Sequence, residues 1–252
     1  MITQGQPAVV TGAGSGLGEA VARRLAAGGA RVAVMDRDAA AAERVAADIG
    51  GLAIACDVTD AGGMQAAFAR ARAAHGPARI CVACAGIGPS RKILSREGDP
   101  MPLEAFDSVL AVNLSGTFNT LRLAAAEMAQ AEALEGGERG VIVTTASVAG
   151  YEGQIGQAAY SASKAGVMGL TLPASRELAR FGIRVACIAP GVFGTPMFYT
   201  VAPEWRKSIT DGVPFPKREG TPAEFADMVA FIIGNQMVNG TTFRLDGAVR
   251  LA

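Results

Sequence analysis

Three side chains that can exchange a proton with a substrate lie near one another in the sequence: Ser147, Tyr160 and Lys164. Tyr160 and Lys164 stand one helical turn apart in Y-S-A-S-K, so they share one face of a helix predicted over residues 159–180. A neighbouring ammonium group favours phenolate and lowers the tyrosine pKa from its reference value of about 10. The pattern predicts proton exchange with an alcohol or ketone whose oxygen Ser147 also bonds; the alternative is an ordinary solvated Tyr–Lys pair.

Composition indicates a globular chain with a large core. Of the 252 residues, 50% are apolar, and 23 basic residues balance 23 acidic ones. We expect a single α/β domain over residues 1–252. The balanced charge argues against a nucleic-acid partner, and no apolar stretch is long enough to span a bilayer. Because residues 1–7 also lack the pattern of a secretory leader, we expect a cytoplasmic protein with no membrane partner.

The histidine and cysteine content excludes several kinds of site. His75 is the single histidine, so neither a multi-histidine metal centre nor an obvious Ser-His-Asp triad is available, and we predict no metal. Cys81 and Cys84 form a C-x-x-C, which could indicate a redox or metal site. In a buried strand, however, residues three apart point to opposite faces. Reduced core thiols, including Cys56 and Cys187, are therefore the favoured interpretation.

Short apolar runs alternate with longer segments that have helical spacing. This alternation predicts a doubly wound, parallel, seven-stranded Rossmann-type sheet with helices on both faces, and it places ligands at the carboxyl ends of the strands. Residues 88–102 are polar and proline-rich, which predicts an exposed insertion. Residues 194–219 contain four prolines and interleaved aromatic residues, and they form either an active-site lid or a packed surface excursion.

A glycine-rich turn, T-G-A-G-S-G-L-G, follows the first predicted strand and begins the first helix. Glycines at 12, 16 and 18 would let the backbone approach a pyrophosphate at the helix N-terminus. Asp36 ends the second strand, where a carboxylate binds both ribose hydroxyls of NAD and repels the 2′-phosphate of NADP. The motif therefore predicts NAD, although the neighbouring Arg37 could favour a phosphate. Asp57 and Val58, after the third strand, could contact adenine or serve as cap and packing residues.

These motifs, together with C-A-G at 84–86, Asn113 and Pro190-Gly191, resemble the short-chain dehydrogenase/reductase family over the whole chain. The resemblance implies that Tyr160 is the general acid or base, that Ser147 positions the substrate oxygen and that Asn113 anchors a water of a proton relay. Lys164 would hold the nicotinamide ribose and lower the tyrosine pKa. The family usually has asparagine where this chain has Cys84, so the hydrogen bonds of that asparagine are missing or replaced here.

The same resemblance implies a set of residues that contact the nicotinamide cofactor. They lie in the glycine turn, after the strands and in the helix of Tyr160. The set comprises Gly12, Ser15, Gly16, Leu17, Gly18, Asp36, Asp57, Val58, Cys84, Ala85, Gly86, Tyr160, Lys164, Pro190, Gly191, Phe193 and Thr195.

A narrower similarity, to family members that act on 3-hydroxyacyl-CoA, is visible around Tyr160, in I-A-P-G-V-F-G-T-P and in R-L-D-G-A-V-R. It implies reversible NAD-dependent oxidation of an L-3-hydroxyacyl-CoA by a homotetramer. Gln154 and Gln157 would line the substrate pocket together with Ser147, or would simply solvate a loop. Arg91 and Lys92 in the insertion could meet coenzyme A phosphates or remain solvated.

Three other functions remain open at this point. A 3-oxoacyl-carrier-protein reductase shares the catalytic residues but more often has a basic residue near positions 36 and 37 for NADPH. Oxidation of a hydroxysteroid or a secondary alcohol is a second alternative. The third, from a different class, is a non-catalytic scaffold, against which the intact Ser147, Tyr160 and Lys164 argue.

Overall fold

The computed structural model describes residues 1–251. Within these residues, seven strands form one parallel sheet in the order β3-β2-β1-β4-β5-β6-β7. The strands are β1 (Pro7–Thr11), β2 (Arg31–Asp36), β3 (Leu52–Ala55), β4 (Ile80–Ala83), β5 (Gly140–Thr145), β6 (Ile183–Pro190) and β7 (Thr242–Leu245). Strand order reverses between β1 and β4, which opens a crevice at the carboxyl ends of these two strands.

Helices connect the strands. They are α1 (Gly16–Ala27), α2 (Ala39–Ile49), α3 (Ala61–His75), α4 (Leu103–Leu110), α5 (Gly116–Gln130), α6 (Ala158–Leu178), α7 (Pro196–Tyr199), α8 (Pro203–Asp211) and α9 (Pro222–Gly234). A π-helical turn, Ala111–Ser115, joins α4 to α5, and 3-10 turns occur at Glu135–Gly137, Val148–Gly150 and Ala179–Phe181. The helix predicted over 159–180 is thus α6 followed by the last of these turns.

Two buried apolar clusters lie on opposite faces of the sheet. One packs β-strand residues such as Val10 against α1, α2 and α9, and the other packs alternate residues such as Val9 against α3 and α5. Apolar side chains on both faces explain the continuous hydrophobic runs in the sequence. The predicted doubly wound parallel sheet with helices on both faces is confirmed.

The two thiols of the C-x-x-C are separated by this alternation. Cys81 belongs to the cluster beside α3 and α5, whereas Cys84 packs against the other cluster. All four cysteines are free thiols. The geometry agrees with the interpretation of core thiols and not with a shared redox or metal site.

Two segments outside the regular alternation approach the crevice. Residues 88–102 are exposed except for the partly buried Met101, and they fold back on themselves through an antiparallel bridge between Leu94 and Pro100. Residues 194–219 contain α7 and α8. No helix in residues 1–251 is long and apolar enough to cross a membrane.

Candidate active site

A cavity of about 280 Å³ lies at the carboxyl ends of the central strands and extends from Asp36 to Tyr160. In the described part of the chain, every residue of the predicted cofactor-binding set except Gly191 and Phe193 lines it. Ile87, Thr145 and Met197, which the sequence did not single out, line it as well. Residues that follow β1 to β6 therefore meet residues of α6 in the crevice that the topology predicts.

The glycine turn between β1 and α1 forms one end of this cavity. Gly12 and Gly16 have positive φ values of 64° and 56°, which glycine adopts without strain. A Cβ on Gly12 would lie 2.6 Å from the backbone nitrogen of Ala85, and a Cβ on Gly18 would collide with the carbonyl of Gly12. The turn thus leaves the backbone bare beside the α1 N-terminus, a cradle that fits the pyrophosphate of a dinucleotide.

Asp36 connects the end of β2 to the glycine turn. Its Oδ2 accepts a hydrogen bond from the backbone N–H of Gly14 at 2.8 Å, and its Oδ1 accepts one from Asp38 at 3.0 Å. Both bonds orient the carboxylate within the cavity lining. An ionised carboxylate has further lone pairs, so it can still accept ribose hydroxyls.

Asp57 and Val58 follow β3 and line the same end of the cavity. Asp57 Oδ1 accepts bonds from the backbone N–H of Thr59 at 2.8 Å and from the Thr59 hydroxyl at 2.7 Å. These bonds hold the pKa of Asp57 below its ordinary value. Val58 packs its side chain against Gly116, where a Cβ would collide with it. Both residues therefore have local structural roles in addition to a position facing the cavity.

Tyr160 and Lys164 line the other end of the cavity, and Ser147 lies beside Tyr160. Tyr160 and Lys164 lie on successive turns at the start of α6, and Ser147 follows β5 and begins the 3-10 turn Val148–Gly150. The Tyr160 hydroxyl is hydrogen-bonded to Ser147. Lys164 Nζ lies 5.7 Å from the centre of the Tyr160 ring and donates a 2.9 Å bond to the carbonyl of Thr145. The geometry brings these three residues together.

The pKa values differ from the expectation that Lys164 lowers the tyrosine pKa. Burial raises the pKa of Tyr160, and the hydrogen bond with Ser147 only partly opposes this. Burial also lowers the pKa of Lys164 to about 8. Without a bound ligand, the predicted lowering of the tyrosine pKa is therefore wrong. The physical reason is that Nζ turns toward the Thr145 carbonyl while both side chains lose water.

Asn113 lies fully buried in the π-helical turn between α4 and α5. Its Oδ1 accepts from the backbone N–H of Ile87 at 2.8 Å, and its Nδ2 donates to the Ile87 carbonyl at 2.9 Å and to Ser163 at 3.0 Å. The side chain thus clamps the segment after β4 to α6 beside Tyr160. Sequence reasoning missed Ile87 and Ser163, although Ser163 stands within the Y-S-A-S-K motif itself.

Cys84 occupies the place where asparagine is usual in the family. Its Sγ accepts a 3.5 Å bond from the hydroxyl of Thr145, the residue whose carbonyl binds Lys164. Burial raises the pKa of the Cys84 thiol to about 11, so it is neutral at physiological pH. One weak hydrogen bond therefore replaces the stronger bonds of an amide at this position.

Six predicted site residues are not part of the cavity lining: Asn113, Ser147, Gln154, Gln157, Gly191 and Phe193. Phe193 packs its ring edge-on against Phe225 in the core, 6.3 Å between ring centres, so a cofactor contact would have to come from its backbone. Gly191 packs against Asp246, to which a Cβ on the glycine would come within 2.7 Å. The side chain of Gln157 accepts a 3.0 Å bond from the backbone of Gln154. This bond closes the loop of residues 151–157, which we name the substrate loop.

The lid candidate and the insertion both reach the catalytic end of the crevice. Thr195, Pro196 and Met197 line the cavity, and Met197 Sδ lies 3.3 Å from the position of a Cβ on Gly88. Arg91 in the insertion donates its backbone N–H to Gly156 of the substrate loop at 2.8 Å. The start of the segment 194–219 and the insertion therefore lie beside the catalytic end of the crevice.

Comparison with known proteins identifies the class to which this fold and site belong. Residues 6–205 match the family model described as short chain dehydrogenase. The chain belongs to the short-chain dehydrogenase/reductase family, as the sequence motifs predicted.

Individual relatives show which members of the family the chain resembles. The chain is 47% identical to the human 3-hydroxyacyl-CoA dehydrogenase type-2 over 98% of its own length and 96% of that protein. The crystal structure of 3-hydroxyacyl-CoA dehydrogenase type-2 from Mycobacterium avium matches with a TM-score of 0.94 and 44% identity, covering 98% and 97% of the two chains. A 3-ketoacyl-(acyl-carrier-protein) reductase from Brucella melitensis complexed with NADH matches with a TM-score of 0.86 and 32% identity, covering 98% of each chain.

Proposed function

We propose that this protein catalyses the reversible, NAD-dependent oxidation of an L-3-hydroxyacyl-CoA to the 3-oxoacyl-CoA. The observation that carries the proposal is that Tyr160, bonded to Ser147, shares one cavity with the glycine turn and Asp36. A proton-transfer group therefore faces a site suited to a dinucleotide. Similarity to type-2 3-hydroxyacyl-CoA dehydrogenases over nearly the whole chain supports the substrate class.

In this proposal the protein's own residues bind the substrate oxygen and move one proton. Ser147 donates a hydrogen bond to the oxygen at C3, and Tyr160 accepts the hydroxyl proton during oxidation and returns it during reduction. Bound NAD supplies the acceptor for the hydride that leaves C3. Lys164 holds the ribose beside Tyr160, while Asn113 keeps α6 aligned with the segment after β4. Orientation and electrostatics are the protein's contribution.

The direct test is an assay of acetoacetyl-CoA reduction with NADH, followed by the loss of NADH absorbance. We expect turnover with the coenzyme A thioester, and a panel of straight and 2-methyl-branched thioesters would define the acyl preference. A protein that binds NADH but turns over no acyl thioester would contradict the proposal. A protein that neither binds NADH nor turns over any substrate would instead support the non-catalytic scaffold.

Cofactor choice depends on Asp36 in this proposal. Replacing Asp36 by alanine removes the charge that opposes a 2′-phosphate, beside the cation of Arg37, which also lines the cavity. We expect the ratio of kcat/KM for NAD over NADP to fall by roughly 10- to 100-fold, because the variant loses one or two charge-assisted hydrogen bonds to the ribose of NAD. Steady-state kinetics with both cofactors measures this ratio.

Asp38→Ala is the matched control, because it removes an acidic side chain two residues away whose bond caps α2 through Ala41. It is expected to lower stability by about 1 kcal/mol and to leave the cofactor ratio unchanged. An unchanged cofactor ratio in Asp36→Ala, or an equal change in both variants, would contradict the role of Asp36 in the choice of NAD over NADP.

Reduction of a 3-oxoacyl thioester on acyl carrier protein is the second candidate, supported by the similarity to the Brucella melitensis reductase. The two candidates differ in the carrier of the acyl group and not in the chemistry at C3. Parallel kcat/KM values for acetoacetyl-CoA and acetoacetyl-acyl carrier protein separate them, with a hydroxysteroid as a third substrate. We expect the coenzyme A thioester to be preferred.

Homotetrameric assembly and a cytoplasmic location are further parts of the proposal. The family resemblance supports the tetramer, and sedimentation of the purified protein would measure its mass. Four free thiols support a reducing compartment, where thiols persist.

A further inference from the structure

The two segments that the proposed function places around the substrate are joined by a side chain that the catalytic scheme does not use. One segment is the substrate loop, residues 151–157, which leads directly into α6 and Tyr160. The other is the lid, residues 194–219. Arg244, near the end of β7, contacts the first segment directly and the second through the chain that follows it.

Toward the substrate loop, Arg244 forms a nearly bidentate ion pair with Glu152. Its Nη2 lies 2.6 Å from Glu152 Oε1, and its Nη1 lies 3.5 Å from Oε2. The guanidinium also lies 5.0 Å from the centre of the Tyr151 ring. Arg244 and Glu152 expose only 24% and 26% of their side chains, so water screens this pair less than an ordinary surface pair.

Toward the lid, Arg244 holds the segment after β7, which we name the tail, residues 246–251. Its Nε lies 2.7 Å from Asp246 Oδ2, and its Nη2 donates to the carbonyl of Val249 at 3.0 Å. Asp246 Oδ1 in turn accepts from the backbone of Ala248, which has a positive φ of 65°. The ion pair therefore fixes a sharply bent tail.

The tail packs against the lid. Val249 is 1% exposed and forms an apolar cluster with Val192 and Val213, against which Phe198 of α7 and Ile209 of α8 also pack. Moving Val249 would move the support on which both lid helices lie. Arg244 thus couples the lid to the substrate loop through two contacts made by the same guanidinium.

We propose that Arg244 is a positioning residue that sets the separation of the substrate loop and the lid, and that its pair with Glu152 determines the affinity for the acyl substrate. This inference rests on the proposed function for the identity of the substrate. The coupling itself, between residues 92 positions apart in the sequence, is a property of the protein without substrate.

Glu152→Gln is the first test, because it removes the charge of the pair but keeps the size of the side chain and leaves the tail contacts of Arg244 intact. We expect KM for acetoacetyl-CoA to rise about fivefold, the effect of one partly buried ion pair. The dissociation constant for NADH should stay unchanged, because neither residue lines the cofactor cavity. Hydrogen exchange in the ligand-free protein should become faster in both the substrate loop and the lid.

Arg244→Gln should have a larger effect on KM, since it also releases Val249, and Arg244→Lys should restore part of the affinity. The double variant Glu152→Gln/Arg244→Gln should be no worse than Arg244→Gln alone, because both changes break one interaction. Asp211→Asn is the matched control: it breaks an exposed ion pair with Lys207 within α8 and should change neither KM nor exchange in the substrate loop.

Additive effects of Glu152→Gln and Arg244→Gln, or unchanged exchange in both segments, would overturn the coupling. Unchanged KM with faster exchange would overturn the role in substrate affinity. If the unsubstituted protein turns over no thioester, the proposed function fails, while the exchange measurements on the same variants still decide the coupling.

Discussion

Replacement of Tyr160 by phenylalanine is expected to lower turnover by about 10²- to 10⁴-fold, the range for loss of a general acid or base. The variant lacks only the hydroxyl that Ser147 contacts, and the ring keeps its place beside Lys164. The loss should therefore appear in kcat with both directions of the reaction. Folding and NADH affinity, measured by circular dichroism and by NADH fluorescence, should remain close to those of the unsubstituted protein.

The pH profile gives an independent check on the same residue. Oxidation needs the phenolate of Tyr160, and burial raises the pKa of this group in the free protein. The kcat/KM for oxidation should therefore rise with pH in the unsubstituted protein, and the residual activity of Tyr160→Phe should lack that rise. Substantial residual turnover, or an unaltered pH profile, would remove Tyr160 from its role.

The fold was predictable because its signals are local. The run V-A-V-M is apolar throughout because the middle of β2 is buried on both faces, and the glycine turn is required where Gly12 approaches Ala85. The position of Asp36 at the end of β2 could be predicted from the apolar run that precedes it. Each of these features depends on neighbours in the sequence or on the strand order that a doubly wound sheet imposes.

The features that the sequence did not predict depend on contacts between distant residues. Asn113 was chosen by resemblance, but its bonds to Ile87 and Ser163 join segments 26 and 50 residues away. The ion pair between Arg244 and Glu152 spans 92 positions. No periodicity in the sequence marks such pairs, because they form only once the strands have assembled into the sheet.

The error over the tyrosine pKa has a related cause. Helical spacing correctly brought Lys164 to the turn after Tyr160, but spacing carries no information on burial. Lys164 is 5% exposed, and desolvation disfavours its charge as well as that of the phenolate. The ligand-free site therefore holds a lysine in an unfavourable charged state, and this state should be measurable as a loss of stability.

Lys164→Met is accordingly expected to lower turnover strongly and yet stabilise the ligand-free protein at pH 7. The methionine keeps an unbranched, apolar side chain but removes a buried charge. The pKa of Lys164 falls from 10.5 to about 8 on folding, so we expect a gain of about 1–3 kcal/mol, reduced by the lost bond to the Thr145 carbonyl. Turnover should fall roughly 100-fold or more, because the group proposed to hold the ribose is gone. Urea unfolding and steady-state kinetics measure the two effects.

The pH dependence distinguishes this explanation from improved packing. Between pH 8 and 10.5 the unfolded protein keeps the Lys164 proton while the folded protein has lost it, so the stability of the unsubstituted protein rises with pH over this window. The advantage of Lys164→Met should therefore be largest below pH 8 and should shrink toward pH 10. Lys207→Met, at a lysine whose side chain is 76% exposed on α8, should show neither the gain nor the trend. A Lys164→Met variant that is less stable than the unsubstituted protein at pH 7 would contradict this explanation. The hydrogen bond from the Lys164 ammonium group to Thr145 would then outweigh the free energy lost on its desolvation.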